Sequence, residues 1–135
     1  MKPLGSVASG GEISRVMLAV KTVLADEEDT PTLIFDEIYT GISGITAGKV
    51  GDRLRLIGKS RQVICITHLP QIAATADHHF LIRKKAEGTS VRTDVEMLDE
   101  AASVEELARL LGGANVTERV MESAKELKEL AKCER

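Results

Sequence analysis

Asp36 and Glu37 are adjacent carboxylates at the end of a short apolar run, Thr32-Leu33-Ile34-Phe35. Neighbouring residues on an extended chain point to opposite sides, so the two acids can take different tasks. One suits holding a metal ion, and the other suits facing a reacting water. An unbroken apolar run predicts a strand buried on both faces, because a half-exposed strand alternates polar and apolar residues. The acids then fall at the strand's carboxyl end, where open α/β sheets bind their ligands.

A second apolar run, Gln62-Val63-Ile64-Cys65-Ile66-Thr67, ends at His68-Leu69-Pro70. Between the two runs, residues 46–57 read as a helix with Val50, Leu54 and Ile57 on one face. Gly48 and Gly51 weaken that helix by about 1 kcal/mol each relative to alanine. Strand, helix, strand implies parallel pairing through a right-handed crossover. His68 therefore falls at the edge that carries Asp36 and Glu37. A lone histidine at a strand end also serves as a cap or packing residue, but its place beside two acids favours function.

Upstream, Ser9-Gly10-Gly11-Glu12 precedes apolar residues at Ile13, Val16, Met17, Val20 and Leu24, the spacing of an amphipathic helix. Ser9 and Glu12 have the form of a capping box, and free amides at a helix start attract anions. A plain glycine-containing cap reads equally well. The acidic run Asp26-Glu27-Glu28-Asp29 reads as a solvated loop. Residues 38–44 are turn-rich. Gly44-Ile45-Thr46-Ala47-Gly48-Lys49-Val50 imitates a phosphate-binding P-loop, but it has three residues between its glycines where four are needed. It also has Val50 where a Ser or Thr must follow the lysine. No other stretch fits, so the sequence carries no P-loop.

The 135 residues fit one domain, short for a complete nucleotide hydrolase. Aromatics are only 2%, so the core is aliphatic and stacking platforms for single-stranded nucleic acid are lacking. A net charge of −3 argues against a main phosphate-neutralising surface. Cys65 and Cys133 lie far apart in unlike settings, which fits a reduced, cytosolic chain. No apolar stretch approaches the roughly 20 residues that cross a bilayer, and no signal peptide is present. The start lies close to a candidate functional loop, so the chain is expected to be a piece of a larger protein.

Beyond His68, a helix is expected from Pro70 through residue 76. Residues 79–84 and 90–98 alternate in part and read as an antiparallel hairpin at the sheet's edge. His78 and His79 follow Asp77 without the spacing of a zinc site. Ser103 with Glu106 forms a capping box opening a helix that ends at Gly112-Gly113. A last helix spans about 116–132, with Val120, Ala124, Leu127 and Ala131 on one side and a solvated Lys/Glu face.

In order, these words resemble the ATPase head of the ABC class: signature loop, Walker B acids, D-loop and switch histidine. Val7-Ala8-Ser9-Gly10-Gly11-Glu12-Ile13-Ser14-Arg15 is closer to SMC-like repair proteins than to transporters. Phe35-Asp36-Glu37-Ile38, Thr40-Gly41-Ile42-Ser43-Gly44, residues 66–73 (Ile-Thr-His-Leu-Pro-Gln-Ile-Ala) and residues 106–113 (Glu-Leu-Ala-Arg-Leu-Leu-Gly-Gly) resemble the RecN family. One departure is Tyr39, which stands where the family carries an acid.

The resemblance implies an α/β fold: residues 1–135 as the C-terminal lobe of an ABC/SMC-type P-loop NTPase head. It has a parallel sheet core, an edge hairpin and C-terminal helices. The P-loop lobe and a long coiled coil would lie elsewhere. It implies Asp36 on Mg²⁺, Glu37 as the base for the attacking water and His68 on the γ-phosphate of ATP. Ser9, Gly10, Gly11 and Glu12 would engage ATP held by a second head, with Gly41 and Ser43 in the D-loop. Implied partners are a second head, the chain's own P-loop lobe and DNA, with no membrane, in a cytoplasmic, nucleoid-associated setting. The full-length protein would hydrolyse ATP in DNA double-strand break repair, and the isolated chain, lacking a P-loop, would not. Two other readings stand beside this one: a head of another SMC-like or transporter-type ABC protein, and a non-catalytic interaction domain.

Overall fold

The structure, a computed structural model, describes residues 16, 19, 20, 30–36, 42, 44–87 and 90–133. The chain divides into two units, residues 1–75 and 76–135.

In the first unit, β1 (Thr32–Asp36) pairs in parallel with β2 (Gln62–Ile66), connected by helix α1 (Gly44–Gly58). The strand, helix, strand reading therefore holds. α2 is a single turn, Pro70–Ala73, shorter than expected. The core consists of Leu33 and Phe35 from β1, Ala47, Val50, Leu54 and Ile57 from α1, and Ile72 from α2. Ile42, Val63, Cys65 and Leu69 pack against it half-buried. Gly51 has a packing reason. A Cβ there would meet Thr75 Cγ2 at 3.0 Å, so its absence lets α1 approach the turn after α2 closely. The P-loop imitation at residues 44–50 forms the opening turns of α1. Val16, Ala19 and Val20 are helical, in line with the amphipathic helix expected there.

One expectation fails. β1 is not buried on both faces: Leu33 and Phe35 are buried, but Ile34 is 66% exposed and Asp36 is exposed. Among the described residues, α1 and α2 supply cover on one side of the sheet, leaving Ile34, Ile64 and Ile66 open on the other.

In the second unit, β3 (His79–Glu87) and β4 (Ser90–Leu98) form an antiparallel hairpin. It is a separate two-stranded sheet. Among the described residues it does not extend β1–β2, as an edge hairpin would. α3 (Glu100–Gly112) and α4 (Glu118–Cys133) pack together through small and aliphatic residues, Leu107, Ala108, Ala124 and Ala131. Ser103 does not cap α3. Asp99 does, its carboxylate accepting the Ala102 N–H at 2.8 Å. Gly113 ends the helix as expected, at φ 61°, its N–H donating to the Arg109 carbonyl at 2.8 Å.

Ser103 lies buried in α3, with its Oγ 2.9 Å from His79 Nδ1. Glu106, one turn on, is buried and makes a two-pronged pair with Arg109 at 2.8 and 2.6 Å. That carboxylate raises the Arg109 pKa. Lys128 is an exception to the solvated-face reading of the last helix: it is buried, its Nζ 3.5 Å from the Ala76 carbonyl.

The His79 pKa is held below 6.5 by burial first and by the Lys128 charge second, with Glu106 acting in the opposite sense. A lowered folded value means that the neutral ring contributes stability above the unfolded pKa, and this is lost as pH falls through the folded value. The 135-residue chain should therefore lose part of its stability to urea below about pH 6.5. His79→Gln should flatten that part of the profile. A pH profile unaltered by the substitution would contradict the assignment.

Candidate functional site

The site grows from the register of the parallel pair. Thr32 faces Gln62, Ile34 faces Ile64 and Asp36 faces Ile66. Three bonds fix the entry end: Gln62 N–H to the Pro31 carbonyl at 3.0 Å, Arg61 Nη1 to the Thr30 carbonyl at 2.8 Å, and Thr32 Oγ1 to Gln62 Oε1 at 2.9 Å. Both strands therefore run toward a common carboxyl edge, with Asp36 at the end of β1 and His68 two residues past β2.

Side chains alternate along β2 and beyond it. Residues 62, 64, 66 and 68 are exposed, while 63, 65 and 67 are half-buried. Val63 and Cys65 join the core side. Asp36 thus lies on the uncovered face of the sheet with Ile34, Ile64 and Ile66, and His68 follows β2 by two residues, exposed, at the same carboxyl edge.

The turn carrying His68 is braced. Thr67 Oγ1 accepts the Leu69 N–H at 3.0 Å, and Pro70 then opens α2 with Leu69 at the N-cap position. Thr67 is a positioning residue that sequence reading passed over. Its signal is a hydroxyl two residues before an amide, the pattern of a side-chain turn.

The other candidates, Ser9, Gly10, Gly11, Glu12, Glu37, Gly41 and Ser43, lie outside the described residues, as does Tyr39. Among the described residues no three His, Cys, Asp or Glu side chains converge as a metal cage. Asp36 offers one exposed carboxylate. That suits Mg²⁺, which takes one or two protein carboxylates and fills its shell with waters and substrate phosphates.

No protein-family model matches the chain. The DNA repair protein RecN of Halalkalibacterium halodurans is 49% identical over 131 residues, which is 97% of this chain and 23% of that protein. RecN of Vibrio cholerae is 47% identical over 127 residues, 94% of this chain and 23% of its own length. RecN of Bacillus subtilis is 42% identical over 127 residues, 94% and 22%. Over nearly its whole length the chain is similar to one part of the RecN proteins. It spans under a quarter of the length of these RecN relatives. A solved structure from work on ATP-driven dimerization and DNA-stimulated activation of SMC ATPases aligns at a TM-score of 0.54 and 24% identity. The alignment covers 77% of this chain and 63% of that one, and it shows an SMC-type α/β head fold. Across the described residues, no helix of this RecN stretch is long and apolar enough to cross a membrane.

Removing the Thr67 hydroxyl should loosen the His68 turn without unfolding the sheet. With about 1 kcal/mol at stake in one hydrogen bond, Thr67→Val should raise Leu69 amide hydrogen exchange about fivefold. Unchanged protection of that amide would show that the hydroxyl does not brace the turn.

Proposed function

We propose that these 135 residues form the C-terminal lobe of an SMC-like ATPase head acting in DNA double-strand break repair. ATP binding joins two heads, and hydrolysis releases them. The observation that carries this reading is the parallel register that brings Asp36 and His68 to one carboxyl edge.

In this reading each residue has a distinct task. Asp36 holds Mg²⁺ through its exposed carboxylate, directly or through water. When bound, Mg²⁺ supplies neutralising charge across the phosphate oxygens. Glu37, the next residue in the sequence, takes a proton from the attacking water. His68 hydrogen-bonds the γ-phosphate and steadies the charge that builds on it. Ser9, the Gly10 and Gly11 amides and Glu12 form the signature loop, which grips ATP held by the opposite head. Gly41 and Ser43 belong to the loop that follows the acids and meets the partner.

The sequence has no P-loop, so the nucleotide is held mainly by a separate lobe of the same protein. The uncovered apolar patch of Ile34, Ile64 and Ile66 beneath the site offers that lobe a surface to bury. The net charge of −3 fits DNA contact made elsewhere in the protein. The protein works in the cytoplasm on the nucleoid, without a membrane partner.

Two measurements test the proposal. The purified 135-residue chain should show no ATP turnover; measurable turnover would refute the division of labour. In a full-length RecN protein carrying this stretch, Glu37→Gln should lower ATP hydrolysis by about 100-fold or more and accumulate ATP-bound head dimers. Normal hydrolysis by that variant would remove Glu37 from the role of base.

A further inference from the structure

One polar residue beside the site has no task in the proposed mechanism. Gln71 stands three residues past His68, half-buried in α2 between the buried Pro70 and Ile72. It lies along α1. A Cβ on Gly44 would sit 3.2 Å from Gln71 Nε2 and 3.8 Å from Gln71 Cδ. A Cβ on Gly51 would sit 3.5 Å from the Gln71 carbonyl oxygen. Seven residues are close to two helical turns, so Gly44 and Gly51 share one face of α1. Ala47, between them on that face, is fully buried in the core that holds Ile72. Gln71 thus rests its backbone near Gly51 and extends its carboxamide to Gly44, the first residue of α1.

Both ends of this contact adjoin proposed functional groups. Gly44 directly follows Ser43 and closes the stretch that begins at Glu37. Gln71 belongs to the turn that carries His68, braced by Thr67 and opened by Pro70. Ile42 and Leu69 anchor the same two places, each half-buried against the core. The contact at Gly44 is also close. A methyl at position 44 would stand against the amide nitrogen at less than an ordinary van der Waals separation. Glycine leaves the room that the carboxamide occupies.

We infer that Gln71 is a positioning residue for ATP hydrolysis, its contact with Gly44 tying the His68 turn to the end of the stretch that carries Glu37. The imidazole that meets the γ-phosphate and the carboxylate that activates water then keep a fixed separation. Such placement acts on the transition state, where reacting groups must be aligned to within about 1 Å, more than on nucleotide binding. The role rests on the reading of Glu37 and His68 proposed for the site.

The test is ATP turnover by a full-length RecN protein carrying this stretch, measured well below the melting temperature of every variant. Gln71→Ala should lower kcat about tenfold and leave KM for ATP within about twofold. Gly44→Ala should do the same, although alanine in a helix is otherwise more favourable than glycine. Both act through one contact, so the double variant should be no slower than the slower single variant. An unchanged kcat in Gln71→Ala, a change confined to KM, or losses that multiply in the double variant would overturn the inference. A merely structural role would lower the melting temperature and leave the kcat of folded protein unchanged. Glu37→Gln in the same assay separates the two claims. If it retains normal turnover, the reading of the site fails. If it abolishes turnover while Gln71→Ala is as fast as the unaltered protein, only the positioning role fails.

Discussion

Everything proposed for the site depends on the register of one parallel strand pair. Side chains alternate along a strand with a period of two, so slipping β1 by one residue against β2 would carry its outward set to the core. Leu33 and Phe35 resist such a slip, because they are the two β1 residues buried against α1. The three bonds at the entry end hold the same register from the other side. An apolar packing constraint thereby fixes where a carboxylate and an imidazole stand, though neither takes part in the packing. The place of the proposed chemistry at the carboxyl edge is a consequence of burial lower down.

Much of this was legible beforehand. The strand, helix, strand order and the common edge of Asp36 and His68 follow from two apolar runs separated by a helical period. The hairpin was legible from its alternation, and the end of α3 from Gly112-Gly113. What could not be read was the tertiary context that chooses among equivalent local signals. Ser103 with Glu106 and Asp99 with Ala102 are both cap patterns, and packing decided between them. Ser103 meets His79 inside the fold, and Asp99 opens the helix as its N-cap. Lys128 looked like any residue on a charged helix face, but it is buried near the Ala76 carbonyl, a contact 52 positions distant in sequence. Gly51 looked like a defect in α1 and proves to be a point of close approach.

The misreading of β1 is the most informative. Thr32-Leu33-Ile34-Phe35 has the composition of a strand covered on both sides, and α1 covers one. The residue pattern therefore records more burial than these residues supply among themselves. The hairpin repeats the lesson in the second unit, where an ordered apolar face stands open beside an ion-paired one. Sequence pattern reports the environment a strand is built for, while the exposure of a given chain reports how much of that environment the chain contains.

The central claim is that the Asp36 carboxylate and the His68 ring face one nucleotide-binding space. Paramagnetic relaxation would test it most directly: a full-length RecN protein carrying this stretch, labelled with nitrogen-15 histidine, is loaded with ATP and Mn²⁺ in place of Mg²⁺. Broadening of the His68 ring signals that is abolished by Asp36→Asn is the predicted result. Broadening that survives Asp36→Asn undiminished, or that spares His68 altogether, would contradict it.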